Sequence, residues 1–285
     1  GSVVDDGVAF RLSDTEFYVT ATTGAVARVF TDMVFLNAQC GMQVDIQNIT
    51  AAFAAINVTG PSARKVLEAL GGDIDLSPEA FPHLTGRTGI IAGCPARIMR
   101  IGFTGELSYE LHVPQSFGAS LWRTLLEAGA PFGLKPYGLE ASRILRLEKG
   151  HIIIGQDTDA LSTPDELSMG WALSKTKARH VGKTAVEARG RLGLKRKLCG
   201  FELPREHGIR LQDSCLVMHD GRPSGFVTST CFSPTLGKWI GLAFADPRDT
   251  EPGSHLTIRG LCGTDRQAKV IPAPFYDPEN HRQEM

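Results

Sequence analysis

The stretch IMRIGFTGELSYELHV, residues 98–113, decides how the fold is read. Ile98, Met99 and Ile101 form one β-rich run, and Tyr109 to Val113 form the returning strand. Between them Gly102-Phe103-Thr104-Gly105-Glu106 supplies turn chemistry, with Gly105 permitting a tight loop. In the second strand Glu110 sits between Tyr109 and Leu111, so it points to the face opposite both. A carboxylate there can accept two hydrogen bonds from a planar N–H/NH₂ edge of the kind that pterins and guanines present. On spacing alone, an exposed glutamate on the polar face of a strand is the simpler reading.

Outward from this hairpin, residues 51–150 read as strand, helix, strand, strand, helix, helix. Phe53, Ala54, Ile56 and Val58 make a strand that breaks at Gly60, and Pro61 opens a helix with the stripe Val66, Leu67 and Leu70. Phe117, Leu121, Trp122 and Leu125 mark a second helix, and Leu139, Leu145 and Leu147 a third that Gly150 closes. Helices on one face of a mainly antiparallel sheet follow from this order, an α+β layer. Upstream, Val3, Val4, Val8, Phe10 and Leu12 pair with Phe17 to Thr20 across a Ser13-Asp14 turn. A helix with Val26, Val29, Phe30 and Met33 on one face comes next. Residues 151–192 are less regular; Pro164 starts a helical turn and Trp171 is expected to be buried. After Lys197 come six short strands: 199–203, 216–219, 226–229, 240–245, 256–258 and 268–271. With a hairpin signal at Asp220-Gly221, they predict a small barrel or sandwich.

Composition narrows the function classes. The chain has 285 residues, a net charge of −1, 42% hydrophobic and 21% charged residues, which suits about two packed domains. A near-neutral balance argues against an electrostatic grip on nucleic acid. The one compact basic cluster, Lys195-Arg196-Lys197, reads as a solvated strand entry. Six dispersed cysteines without a C-x-x-C pair argue against a zinc site and fit a reducing, cytoplasmic compartment. No apolar run of about 18 residues predicts a membrane span. Neither a dinucleotide-binding nor a P-loop glycine pattern occurs, and Gly155-Gln156-Asp157-Thr158-Asp159 resembles a calcium loop only superficially. Asp5-Asp6-Gly7 sets two carboxylates among Val4, Val8 and Phe10; at most one of them can face a given site. The opening Gly1-Ser2-Val3, without an initiator Met, is read as the start of a piece or of a processed chain.

Taken in order, several segments resemble the tetrahydrofolate-dependent aminomethyltransferase family, whose members include the glycine cleavage T-protein. They are Val4-Asp5-Asp6-Gly7-Val8, Gly60-Pro61-Ser62-Ala63, Phe103-Thr104-Gly105-Glu106 with Tyr109-Glu110, and Leu145-Arg146-Leu147-Glu148-Lys149-Gly150. Gly155-Gln156-Asp157 with Thr163-Pro164, Val227-Thr228-Ser229, and Ser233-Pro234-Thr235-Leu236 continue the series. Glu148-Lys149-Gly150, Gly155 to Asp159 and Pro274-Phe275-Tyr276-Asp277-Pro278 are most similar to the alpha subunit of heterotetrameric sarcosine oxidase.

The resemblance implies an α+β, three-lobed folate-binding fold with a C-terminal small β-barrel, short at its N-terminus. Residues 1–50, with 151–192 packing back on them, would form what remains of the folate-binding lobe, 51–150 the α+β lobe and 193–285 the barrel lobe. It further implies Asp6 as the catalytic aspartate close to folate N10, Glu110 at the pterin edge, Phe103 as the pocket aromatic and Arg282 as the residue closing the site. Val8, Phe10 and Thr22 would fall near the same cavity. Tetrahydrofolate is the implied cofactor, with FAD and NAD only on parts outside this chain, and other subunits or domains of an amine oxidase complex are the implied partners. Alignment on the Leu-Arg-Leu-Glu run puts Ser142 where glycine cleavage enzymes carry a folate-binding Arg; Arg143 is about 100° further around the helix.

Overall fold

In the computed structural model, which describes residues 1–205 and 211–285, the chain divides into two compact units. One comprises Gly7–Ser142 with Glu279–Met285, the other Gly1–Asp6 with Arg143–Pro278.

The first of these opens with a hairpin of β1 (Ala9–Arg11) and β2 (Phe17–Val19), followed by α1 (Val26–Cys40). The helix is longer than its four-residue apolar stripe predicts and buries none of its residues. Then come β3 (Phe53–Thr59), α2 (Ala63–Leu70), β4 (Gly86–Ile91), β5 (Cys94–Met99), β6 (Ser108–Pro114) and α3 (Gly118–Gly129). The strands pair antiparallel throughout in the order β3-β6-β5-β4. Strand alternation sends Val58, Ile98, Tyr109, Leu111 and Val113 to one face, where they form a core with Val66 and Leu67 of α2 and Leu121 and Leu125 of α3. Ala55, Asn57, Ser108, Glu110, His112 and Arg97 take the other face by the same alternation.

Strand β4 has no signal in the sequence because its glycines answer to packing. A Cβ at Gly86 would lie 2.5 Å from the Phe10 ring, and one at Gly89 would lie 2.5 Å from Asp73 Oδ1. Close approach from neighbours, rather than apolar alternation, specifies this strand.

Helix α4 (Leu139–Glu148) carries the boundary between the units within its length. In the second unit α5 (Lys183–Gly190) precedes six strands: β7 (Lys197–Leu203), β8 (Leu216–His219), β9 (Arg222–Ser233), β10 (Lys238–Ala245), β11 (His255–Arg259) and β12 (Asp265–Ile271). They close into a barrel in the order β10-β7-β12-β11-β8-β9, β9 pairing back onto β10. Phe201, Val217, Val227, Ala243, Ile258, Ala268 and Val270 fill its interior. Asp220 and Gly221, both at positive φ, turn the β8–β9 hairpin as their sequence predicts.

Two expectations need correction. Trp171 is 77% exposed, because the irregular segment around it builds no core of its own. Arg196 is not a simply solvated cation: it pairs with Asp159 at 2.8 Å and Glu166 at 3.2 Å, and holds the Asp159 carboxyl well below the usual range. In α4, Arg146 is almost fully buried.

Arg146 Nη1 lies 2.6 Å from Asp157 Oδ2 and also donates to the His151 carbonyl, while Nη2 donates to Ser229 Oγ at 2.7 Å. Asp157, which is wholly buried, further accepts from the Ile153 N–H and from the Thr228 and Ser229 hydroxyls. Next to it Glu148 accepts from Ser233 Oγ at 2.6 Å and Thr235 Oγ1 at 3.1 Å, and its carbonyl takes the N–H groups of Phe275 and Tyr276. Lys149 donates to the Asp277 carbonyl at 2.7 Å.

Removing one member of a buried ion pair leaves the other uncompensated, at a cost of about 3–5 kcal/mol. Asp157→Ala is therefore expected to lower the urea midpoint by that equivalent, while the Arg146→Met/Asp157→Leu double variant should be less destabilised than Asp157→Ala. Burial pushes the Cys199 thiol up to about 12. At pH 8 iodoacetamide should label the exposed Cys40 and Cys262 and leave Cys199 unmodified, as peptide mass mapping would report.

Candidate functional site

Glu110 occupies the middle of a row in which Asn57 of β3 and Met99 of β5 are its register partners. Its side chain is about one-third exposed, at 32%. Asn57 is fixed at both ends: its Nδ2 donates to Ser108 Oγ at 2.9 Å, and its Oδ1 accepts from the Tyr137 hydroxyl at 2.8 Å. Burial raises the Tyr137 phenol above its ordinary value, and the Glu110 charge raises it further. On the other side His112 Nε2 lies 3.6 Å from Glu110 Oε2, and His112 Nδ1 lies 2.8 Å from the Tyr18 hydroxyl. The Arg97 guanidinium stacks over Tyr18 at 4.6 Å and over Phe53 at 4.9 Å. Tyr18 is also raised, chiefly by burial, with Arg97 opposing and Glu110 adding to the effect.

The loop after β5 is pinned at three points. Thr104 and Thr59 hydroxyls meet at 2.8 Å, tying the loop to β3. Arg282 Nε donates to Glu106 Oε1 at 2.6 Å, and Gln283 Nε2 reaches the Gly102 carbonyl at 3.3 Å. Phe103, between these anchors, is 38% exposed. A cavity of about 570 Å³ runs along β3 beside this polar face; Asn57, Thr59, Trp122, Leu126, Tyr137 and Ser142 are among the residues that line it. One wall is apolar and the other carries the Asn57–Tyr137 hydrogen bond, a combination suited to a flat, partly polar small molecule.

Of the residues singled out from the sequence, Glu110, Phe103, Arg282, Val8, Phe10 and Thr22 belong to one unit and Asp6 to the other. Asp6 is exposed, with Asp5 turned further inward, as alternation along an extended segment requires. Val8 donates its N–H to Thr20 Oγ1 at 3.0 Å and so closes the β1–β2 hairpin. Phe10 packs on Gly86 of β4, two strands away from the strand that bears Glu110. The Thr22 carbonyl accepts from the Ala25 and Val26 N–H groups at the entry to α1. Asn57, His112, Tyr18 and Tyr137 escape sequence reading. Asn57 and His112 carry the same alternation as Glu110, but only the pairing register joins the first to it. Among the described residues there is no group of His, Cys, Asp and Glu able to hold a metal ion. No helix among them is long and apolar enough to cross a membrane.

Residues 1–177 match the GCVT N-terminal domain and residues 196–277 the glycine cleavage T-protein C-terminal barrel domain. The chain is 34% identical over its whole length to sarcosine oxidase subunit alpha of Corynebacterium sp. (strain P-1), spanning 30% of that protein. It is also 32% identical to an aminomethyltransferase of Halothermothrix orenii over 96% of the chain and 74% of the relative. The fold matches that of glycine cleavage system aminomethyltransferase T from Bartonella henselae with a TM-score of 0.82, at 23% identity, over 96% of this chain and 72% of that one.

The Glu110 charge raises both Tyr137 and Tyr18. Glu110→Gln removes a negative charge that disfavours phenolate, so both hydroxyls should ionise at lower pH than in the parent chain. Tyrosine absorbance followed through an alkaline titration checks this, and an unchanged curve would separate Glu110 from these rings.

Proposed function

Because the chain belongs to the glycine cleavage T-protein family, we propose that it carries out tetrahydrofolate-dependent one-carbon transfer. The proposed reaction forms 5,10-methylenetetrahydrofolate from the methylene product of oxidation of an N-methyl amine such as sarcosine. The observation that carries this reading is Glu110, a carboxylate about one-third exposed among the oriented Asn57 and Tyr137 side chains, beside a cavity of about 570 Å³. Such a carboxylate suits the paired N–H and NH₂ donors of a pterin, for two acceptor oxygens meet two donors in one plane. Tetrahydrofolate, when bound, supplies the N5 and N10 nitrogens that take up the one-carbon unit.

In this reading Glu110 binds and orients without entering the chemistry, which is a contribution of positioning. Phe103 offers its ring as a pocket aromatic, and Arg282 steadies the Gly102–Glu106 loop through Glu106. Asp6 acts as the proton acceptor, its carboxylate taking a proton and its charge stabilising cationic character as that develops. Val8, Phe10 and Thr22 are proposed as wall residues. The methylene donor reaches the chain from other subunits or domains of an amine oxidase complex, and FAD or NAD would act on those parts.

A second reading, the glycine cleavage aminomethyltransferase, is favoured by coverage: the chain spans 30% of the sarcosine oxidase subunit alpha relative but 74% of the aminomethyltransferase relative. Ammonia release from an aminomethylated lipoyl carrier protein identifies that activity, and methylenetetrahydrofolate formation dependent on sarcosine oxidation identifies the first.

Asp6→Asn is expected to keep tetrahydrofolate binding by calorimetry within about twofold while product formation falls about 10²- to 10⁴-fold. Product yield equal to that of the parent chain would remove Asp6 from the reaction.

A further inference from the structure

His112 is the buried polar residue beside Glu110 to which neither the sequence motifs nor the proposed reaction gives a task. It follows Glu110 by two residues on β6, so both side chains leave the same face of the sheet. The residue is 7% exposed, and its Nε2 is buried without a hydrogen-bond partner, 3.6 Å from Glu110 Oε2. A buried ring nitrogen left unpaired is unfavourable, so its position against a carboxylate calls for a physical reason.

The two neutral tautomers of the imidazole differ sharply here. With the proton on Nδ1, the Nε2 lone pair would face the carboxylate lone pairs, and the Tyr18 hydroxyl would serve as an acceptor. With the proton on Nε2, that N–H faces Glu110 and Nδ1 accepts from the Tyr18 O–H at 2.8 Å, so each polar atom has a complementary partner. The surroundings favour the second arrangement. Arg97 of β5, the register partner of His112, directs its guanidinium onto the Tyr18 and Phe53 rings and towards Glu16 at 3.8 Å. Tyr18 meets the imidazole edge-on, with ring centres 5.5 Å apart. Glu110 on its own strand, Arg97 on the neighbouring β5, Tyr18 on β2 and Glu16 just before it are thus the titratable groups around it.

We propose that His112 is a positioning residue for Glu110: Tyr18 fixes its Nε2–H tautomer, and that N–H holds one lone pair of Oε2 when a ligand closes the 3.6 Å gap. A carboxylate held at one point cannot swing away or rotate freely, and it keeps both oxygens available to a planar pair of donors. A ligand edge with two donors, as in a 2-aminopterin, is accepted, whereas an edge with one donor and one acceptor meets a lone pair where it needs a proton. The tautomer stands by itself; the ligand-binding consequence rests on Glu110 being the pterin carboxylate of the proposed function.

Imidazole ¹⁵N spectra of the full 285-residue chain test the tautomer directly. A protonated Nε2 with unprotonated Nδ1 is expected for His112, and the opposite pattern overturns the proposal. Tetrahydrofolate calorimetry on two variants tests the consequence. In His112→Gln the side-chain amide reaches the Nε2 position and can still donate to Glu110. In His112→Asn the amide reaches the Nδ1 position and can keep only the Tyr18 contact. The Gln variant should bind within about threefold of the parent, and the Asn variant about tenfold more weakly, the equivalent of one charge-assisted hydrogen bond. The reverse order, Asn tolerated and Gln not, would assign His112 a merely structural role as an anchor for Tyr18 and overturn the proposal. Glu110→Ala binding like the parent would overturn the folate reading of Glu110 instead, a failure distinct from that of the tautomer.

Discussion

The second unit depends on the buried pair of Arg146 and Asp157. Each would be prohibitively expensive to bury alone; Asp157 is made tolerable by four donors and Arg146 by three acceptors at its terminal nitrogens, its Nε alone being buried without a partner. Asp157 takes donors from Arg146, Ile153, Thr228 and Ser229, and Arg146 gives its terminal nitrogens to Asp157, His151 and Ser229. These partners come from α4, from the segment that follows it and from strand β9 of the barrel. Cooperative networks of this kind specify one arrangement, because a partial version leaves a charge without solvation. The neighbouring Glu148 extends the same logic to Ser233 and Thr235, and through its carbonyl to Phe275 and Tyr276.

That network explains why short motifs spread over more than a hundred residues identify the family while none alone points to chemistry. Leu-Arg-Leu-Glu-Lys-Gly, Gly-Gln-Asp, Val-Thr-Ser, Ser-Pro-Thr and Pro-Phe-Tyr-Asp are the segments whose side chains or backbone meet in it. Their residue types are those required to neutralise and hydrogen-bond a buried charge. Read singly, Arg146 is one more cation on a helix and Asp157 one more acid in a polar loop. Their burial arises from the barrel strand that reaches them, information that local periodicity does not contain.

Legibility followed the same division. All six barrel strands were readable, because each is a short β-rich run bounded by turn residues, and the Asp220-Gly221 turn demands positive φ whatever surrounds it. Strand β4 was not readable, since Gly86 and Gly89 are chosen by the approach of Phe10 and of Asp73 and Ile74. Helix α5 was missed for a related reason: it buries nothing, so it has no stripe to betray it. At the candidate site, alternation alone placed Glu110 opposite Tyr109. The Asn57–Tyr137 and Tyr18–His112 contacts join residues 80 and 94 positions apart, and they become visible only once sheet register and the hairpin are known.

The same alternation constrains what the polar face of the sheet can be. With α2 and α3 covering one side, every second residue of β3, β5 and β6 must look the other way, and there the chain has placed Asn57, Arg97, Ser108, Glu110 and His112. A face of that composition is stable only where its members satisfy one another or a ligand completes the set. Asn57 is satisfied by Ser108 and Tyr137, and Arg97 by two aromatic rings and Glu16. Glu110 is the member that retains open acceptor capacity towards solvent. A carboxylate whose own oxygens are accessible, on a face where Asn57 and Arg97 are already committed, has the character of a binding group rather than of a structural one. It is this distribution of commitments, more than the presence of a glutamate on a strand, that supports a ligand there.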